Sequence, residues 1–333
     1  MGGLLRFGLV GAGAIGQTYA WALEKSDRAS LAAVADIREE AARALAEGHN
    51  AKVYTDHLSL ADQADCDAVI VCTPPATHTQ VCVDLLERRL PVLCEKPLSI
   101  DTEGALKMVA AASRNETILT MASKFRYVED VIRAKSIVTS GILGEIILFE
   151  NAFTSRVDMA GRWNADPAIS GGGVLIDNGT HSVDIVRYFL GPIADVQAVE
   201  GKRVQAVAVE DTVRLFIRTA GGVTGTVDLS WTINKELDSY IDIYGSHGVV
   251  RVGWRESRYR QMGNQDWVVF GSGYNKLDAV LRQINNFCGS ILGRESLLIR
   301  ADDALASVEV IETAYRSLLQ NRWVEVGNRN RGG

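Results

Sequence analysis

Leu5-Arg6-Phe7-Gly8-Leu9-Val10 runs directly into Gly11-Ala12-Gly13-Ala14-Ile15-Gly16. A short apolar run, a G-x-G-x-x-G turn and an apolar-patterned helical stretch in immediate succession describe a cradle for a dinucleotide. Gly11 permits the tight turn. Gly13 lets the backbone approach a pyrophosphate seated on the helix N-terminus, and Gly16 lets helix and strand pack closely. Ala14 and Ile15 lie within the turn and count with the cofactor residues. Such a cradle asks for an acidic residue about 20 residues further on, at the end of the second strand. Asp36 stands there, in Val34-Ala35-Asp36. A carboxylate suits both ribose hydroxyls and repels a 2′-phosphate, which favours NAD. Arg38 is near enough to pair with that phosphate and keeps NADP open as the alternative.

Outward from this turn the chain alternates. Apolar runs Leu5–Val10, Ser30–Ala35, Ala68–Cys72, Val92–Cys94 and Thr117–Met121 are separated by helical patterns at about 14–25, 38–46, 76–88 and 102–114. Strands rich in Val, Ile and Leu with few charges are those of a parallel sheet buried on both faces, with helical crossovers. After about residue 125 the rhythm changes. A helical pattern at about 128–139 precedes strands with period-2 alternation. In Val223–Trp231 the residues Val223, Gly225, Val227, Leu229 and Trp231 point one way, and Thr224, Thr226, Asp228 and Ser230 the other. Thr212–Arg218 and Tyr240–Tyr244 alternate similarly, and helices at about 277–292 and 302–320 follow. This reads as a large, mostly antiparallel sheet with one polar face. The fold class expected is α/β: a doubly wound parallel sheet over residues 1–123, then a second α/β domain with an open sheet over 124–333. The stretch Gly327–Gly333 is read as a polar, frayed tail.

Composition narrows the functional classes. The 333 residues suit about two domains. The net charge of −6 supplies no concentrated basic surface for a phosphate backbone, so no nucleic-acid partner is expected. No uninterrupted apolar stretch reaches the roughly 18 residues of a membrane span, so no membrane partner is expected either. The apolar start reads as a strand rather than a leader. Arg6 stands where a myristoylation motif wants Ser or Thr. The five cysteines, Cys66, Cys72, Cys82, Cys94 and Cys288, form no Cys-x-x-Cys pair and are expected to be buried, reduced thiols of a cytoplasmic protein.

Three further motifs carry chemistry. Val92-Leu93-Cys94-Glu95-Lys96-Pro97 sets a charged pair at the carboxyl end of a buried strand, the edge where open α/β sheets bind ligands. Lys96 there can hydrogen-bond a substrate oxygen, unless Glu95 and Lys96 are surface charges at a strand end. Cys72-Thr73-Pro74-Pro75-Ala76-Thr77-His78 occupies an equivalent edge. It brings Thr73 and Pro74 beside the cofactor, and leaves His78 either a contact residue or an ordinary residue of a helix start. The third follows Ser170-Gly171-Gly172-Gly173. Asp177 and His181 are four apart, so they share one face of a helix start, and Asp184 and Tyr188 continue the stripe. An imidazole beside a carboxylate suits removal of a hydroxyl proton as hydride leaves the same carbon. A structural histidine, or a metal site of Asp177, His181 and Asp184, are the other readings, and no second His or Cys cluster supports the metal.

In this order and at these separations, the motifs resemble the glucose-fructose oxidoreductase / inositol dehydrogenase / MocA family, from Leu5 to about Val326. The resemblance implies a Rossmann domain followed by an α/β domain on an open antiparallel sheet. It implies hydride exchange between NAD(P) and a sugar, cyclitol or related polyol. Lys96 then matches the family's active-site lysine, and Asp177 and His181 its Asp-His pair, with His181 the acid-base. Gly11, Gly13, Gly16, Asp36, Thr73 and Glu95 match cofactor positions. Pro75 departs from the asparagine often found there. Arg126 and Tyr127, at the entry to the substrate domain, and Arg156, Arg162, Trp163 and Lys235, from its loops, are the substrate-contact candidates. No metal is expected.

The expected function is therefore NAD-dependent oxidation of a secondary alcohol on a carbohydrate or polyol. A redox-neutral enzyme that retains NAD and cleaves glycosides is the alternative, and a non-catalytic dinucleotide or sugar sensor a more distant one. A homo-oligomer, dimer or tetramer, joined through the polar sheet face is expected.

Overall fold

A computed structural model describes residues 3–327. The expected tail from residue 328 onward, and Met1-Gly2, lie outside the described residues. The chain divides into two compact units. One holds the residues through Tyr127 together with Lys276–Leu305, and the other holds Val128–Asn275 with the residues from Ala306 on.

The first unit runs β1 (Leu5–Val10), α1 (Ala14–Lys25), β2 (Ala29–Ala35), α2 (Glu39–Glu47), β3 (Lys52–Tyr54), α3 (His57–Gln63), β4 (Ala68–Val71), α4 (Pro75–Glu87), β5 (Val92–Glu95), α5 (Thr102–Arg114) and β6 (Leu119–Ala122). The strands form a parallel sheet in the order β3-β2-β1-β4-β5-β6. The order reverses between β1 and β4, and that is where such sheets open a crevice beyond their carboxyl ends. The sequence did not announce β3 and α3. A three-residue edge strand, none of it fully buried, has too few apolar positions to register as a run.

The second unit continues with α6 (Glu129–Thr139), β7 (Ile146–Thr154), α7 (Pro167–Ser170), α8 (Val174–Leu190), β8 (Ile193–Glu200), β9 (Thr212–Thr219), β10 (Thr224–Ser230), β11 (Ser239–Gly245), β12 (Gly248–Gly253), β13 (Ser257–Gln261) and β14 (Val268–Gly271). Then come α9 (Lys276–Ile291), α10 (Ala301–Gln320) and β15 (Val324–Glu325). The nine-stranded sheet is ordered β14-β13-β12-β11-β7-β10-β9-β8-β15. Its strand pairings are antiparallel except β7 with β10. On one face lie the buried Val213, Leu215, Val227, Leu229, Ile241 and Ile243, and α8 packs there on β7, β9 and β10. The other face carries a row of directly paired residues across eight strands: Gln197, Phe216, Thr226, Glu150, Asp242, Arg251, Arg258 and Val269. All but Val269 are half-buried and Val269 is exposed, so this is the polar face that the alternation announced.

Beside the expected division at residue 123, contacts set α9 with the first unit. The helix's apolar stripe completes that unit's core. Val280, Ile284, Phe287 and Cys288 join Phe7, Leu9, Tyr19 and Leu23 there, and the Phe287 ring meets Phe7 edge-on at 5.9 Å. Burial of a phenylalanine contributes about 1.5–3 kcal/mol, which sequence adjacency cannot reveal.

Cys72, Cys82, Cys94 and Cys288 are buried, Cys66 is partly so, and none is paired. Burial raises the Cys72 and Cys94 thiols well above their ordinary value and pushes Cys66 up to about 11 and Cys288 up to about 12. At pH 8 these sulfurs stay protonated, and the thiolate is the reactive form. Treatment of the native protein with a disulfide-exchange reagent at pH 8 should give no fast phase from these four thiols, with full reaction after denaturation. A native-state burst from any of them contradicts the burial described. No described helix is long and apolar enough to cross a membrane.

Candidate active site

In the first unit the cofactor motif closes on itself. Gly11 has φ +102°, and a Cβ there would stand 2.7 Å from the Cys72 carbonyl. A Cβ on Gly16 would stand 2.3 Å from the Gly11 carbonyl oxygen. Gly13 differs, since nothing lies within 4 Å of where its Cβ would be. Two glycines therefore serve the protein's own packing, and the third leaves space open at the start of α1, where Gly13 is the N-cap. That open approach fits a pyrophosphate. Asp36 fits as well. Its Oδ2 accepts from the Ala12 amide at 2.8 Å and its Oδ1 from the Arg38 amide at 2.9 Å. A carboxylate offers about four acceptor positions, so acceptor capacity remains for ribose hydroxyls. Because the glycine turn itself holds Asp36, the carboxylate cannot swing aside for a 2′-phosphate without giving up the Ala12 amide. The Arg38 guanidinium is exposed, with Nε 3.4 Å from Asp36.

Thr73 and Pro74 follow β4 and Glu95 ends β5, so the expected cofactor residues do gather at the carboxyl ends of β1, β2, β4 and β5. Pro75 sits at the first turn of α4, where the missing amide proton costs nothing. His78 is a correction. Its ring is fully buried, with Nδ1 2.8 Å from the Pro97 carbonyl oxygen and Nε2 2.8 Å from that of Thr73. It ties the turn after β4 to the turn after β5 rather than presenting a group to a cofactor, and burial lowers its pKa. The Lys96–Pro97 peptide is cis. Sequence reading missed Tyr19. From α1, its hydroxyl donates to Glu95 Oε1 at 3.0 Å, while the Lys96 amide donates to Oε2 at 3.0 Å. Burial, then Glu95, raises the phenol's pKa well above its usual value, so it stays a donor. The position three after Gly16 in the fingerprint carried the signal, a lone polar tip on an apolar helix face.

In the second unit, α8 begins eight residues earlier than the Ser182–Leu190 pattern suggested, so Asp177 and His181 lie one turn apart on the same helix. His181 is nearly buried and Asp184 wholly so. Among the described residues no group of three or more His, Cys, Asp or Glu side chains is placed to hold a metal. An aromatic run that no motif announced leads away from His181. Phe153 meets the imidazole edge-on at 6.4 Å and stacks on Tyr240 at 5.8 Å. Tyr240 lies 4.4 Å from Trp254, whose indole meets Tyr274 at 5.6 Å.

The substrate candidates divide. Arg126 and Tyr127 belong to the first unit and are buried. The Arg126 guanidinium donates to the Leu298 carbonyl at 3.2 Å and lies 3.6 Å from Asp303, and the Tyr127 hydroxyl donates to Asn286 at 3.0 Å. Arg126 is thus tied to the segment after α9 and Tyr127 to α9 itself. Lys235 donates from Nζ to Asp228 at 2.7 Å. Arg156, Arg162 and Trp163 are exposed in the loop after β7, as expected of loop candidates.

The comparisons agree with this architecture. Residues 5–123 match the model of an oxidoreductase family with an NAD-binding Rossmann fold, and residues 131–251 match the GFO/IDH/MocA C-terminal domain. The chain belongs to the Gfo/Idh/MocA oxidoreductase family. It is an NAD-binding oxidoreductase of two units. It is 26% identical over 339 residues to inositol 2-dehydrogenase of Rhizobium meliloti (strain 1021), covering 97% of this chain and 99% of that protein. It is 28% identical over 330 residues to the rhizopine catabolism protein MocA of Rhizobium meliloti, covering 98% and 99%. Among solved structures, GenD2 from gentamicin A biosynthesis, in complex with NAD, superposes with a TM-score of 0.86 at 28% identity, covering 98% of this chain and 97% of that one.

The glycines can be separated by experiment. Gly16→Val should lower stability by at least about 1–3 kcal/mol through overpacking against the Gly11 carbonyl. Gly13→Val should leave the unfolding midpoint within a degree or two while weakening NAD binding about tenfold or more, roughly 1.4 kcal/mol. Thermal unfolding and NAD titration followed by tryptophan fluorescence read both effects.

Proposed function

We propose that the protein oxidises a secondary alcohol of a cyclic polyol or sugar, and reduces the corresponding ketone in reverse. The observation that carries this is the Asp177–His181 pair on one turn of α8, with the imidazole against an aromatic run from Phe153 to Trp254. Aromatic faces suit the C–H faces of a carbohydrate ring, and relatives named inositol 2-dehydrogenase and MocA support the class. NAD, which the Gly11–Gly16 turn and Asp36 would hold, would supply the hydride acceptor for the carbinol carbon. His181 receives the hydroxyl proton at an imidazole nitrogen, and Asp177 steadies the resulting imidazolium. Lys96, aimed by the turn that Glu95 and Pro97 shape, donates to the alcohol oxygen as negative charge develops there. Asp36 and the glycine turn hold NAD, and Trp163, Arg156 and Lys235 are candidates for substrate hydroxyls. The unpaired cysteines suit a cytoplasmic setting.

The test is a panel of inositols, aldoses, amino sugars and nucleotide sugars with NAD⁺ and NADP⁺, followed at 340 nm. At least one cyclic alcohol should give NADH. Lys96→Ala and His181→Ala should each lower kcat by about 10²–10⁴-fold with NAD affinity nearly intact. Turnover at the wild-type rate in purified His181→Ala defeats the assignment. Retained NAD with product formed but no net NADH redirects the reading to redox-neutral glycoside cleavage.

We further propose a homo-oligomer joined through the polar sheet face. Its central row places Glu150 and Asp242 beside Arg251 and Arg258, so a two-fold pairing can set the acidic half of one copy against the basic half of another. Arg251, Arg258 and Arg260 also gather around the Trp267 ring at 4.8–5.0 Å. Light scattering at micromolar concentration should give a multiple of 36.2 kDa, and a monomer mass rejects the proposal.

A further inference from the structure

Helix α8 carries both members of the proposed proton pair, yet it has no local cap. Its N-cap residue is Gly173, which has no side chain to offer. The first amides of a helix lack intrahelical partners, and when buried they must be satisfied from elsewhere. A single residue from the segment entering β9 does this. Glu210 Oε1 accepts from the Gly173 amide at 3.0 Å and from the Leu175 amide at 3.1 Å. Between them, the Val174 amide donates to the Glu210 backbone carbonyl at 2.9 Å. The same Oε1 accepts from the Tyr315 hydroxyl of α10 at 2.8 Å, and that hydroxyl accepts from the Gly173 amide at 3.2 Å.

The glycines make this closeness available. A Cβ on Gly173 would stand 2.1 Å from the Glu210 carbonyl oxygen, and one on Gly172 would stand 1.9 Å from the Tyr315 hydroxyl. A serine or aspartate cap would satisfy the helix end more cheaply. Such a cap would travel with the helix. A cap supplied 35 to 37 residues later ties the helix to the sheet instead. Glu210 is 5% exposed, and burial raises its carboxyl's pKa. It is also a group that the proposed chemistry does not use.

We infer that Glu210, seconded by Tyr315, is a positioning residue for the reaction: it fixes the axial position and rotation of α8 against the sheet, and so the position of the His181 imidazole. His181 lies eight residues beyond Gly173, about 12 Å along the axis. Slippage of the helix start by a fraction of a turn therefore displaces the imidazole without disturbing its own neighbours in sequence. A misplacement of about 1 Å can lower a rate about 10²-fold. The inference rests on the proposed role of His181.

The test uses the full chain as wild type, Glu210→Ala, Glu210→Gln, Tyr315→Phe and His181→Ala. Each is assayed with NAD⁺ and the panel alcohol that wild type oxidises fastest, and by hydrogen exchange of peptides from α8. Glu210→Ala should lower kcat about 10²-fold, with KM and NAD affinity within about threefold, and α8 amides should exchange faster. Glu210→Gln keeps an acceptor oxygen and should recover to within about tenfold of wild type. Tyr315→Phe should fall between them, and it carries the test with Glu210→Gln if the alanine variant does not fold. Wild-type kcat and unchanged α8 exchange in Glu210→Ala, or in Tyr315→Phe and Glu210→Gln where these stand in, overturn the inference. An inactive His181→Ala alongside such a result leaves the histidine reading intact. An active His181→Ala overturns that reading, and the inference with it.

Discussion

The peptide between Cys72 and Thr73 passes so close to Gly11 that no side chain fits between them. Much of the first unit's chemistry depends on that approach. It brings the ends of β1 and β4 together at the point where the strand order reverses. The Ala12 amide, exposed by the same turn, then captures Asp36 from the end of β2. His78 carries the tie on to the turn after β5, and Tyr19 reaches Glu95 there from the helix that the turn begins. Four strand ends are thus held by backbone contacts and a few buried polar tips. The preorganisation that binding asks for is present in the protein itself.

The second unit solves the opposite problem. The proposed proton pair lies on one long helix over a wide sheet, where apolar burial sets the depth of packing but says little about sliding along the axis. Hydrophobic contact is non-directional. Hydrogen bonds are directional, and those at the start of α8 supply what burial lacks. Phe153 then meets the imidazole edge-on, and the aromatic run from Phe153 to Tyr274 packs ring on ring behind it.

Much of this was legible in the residues. Gly11–Gly16 with Asp36 announced the parallel sheet, because that motif states both a conformation and a spacing. The alternation of Val223–Trp231 announced an open sheet with one polar face, because period two has no other explanation. What stayed hidden involves partners distant in sequence. Nothing near Arg126 says that Leu298 and Asp303 will meet it, because both lie more than 170 residues away. His78 was open between two roles until the carbonyls of Thr73 and Pro97 appeared on either side of its ring. Tyr19, Phe153, Tyr240 and Glu210 belong to no motif, and their partners lie tens to hundreds of residues away.

The packing of Phe287 on Phe7 has a consequence in time. The first unit is the first to leave the ribosome, but its core includes Val280, Ile284 and Phe287. Roughly 150 residues separate Tyr127 from α9, which is about 7–30 seconds of synthesis at ordinary rates. Through that interval the Phe7, Tyr19 and Leu23 face waits without its covering helix. The nascent chain therefore exposes this apolar face while residues 128–275 of the second unit are still being made. A chain of this design has reason to engage a chaperone during translation, and a fragment cut near residue 127 would carry that exposed face permanently.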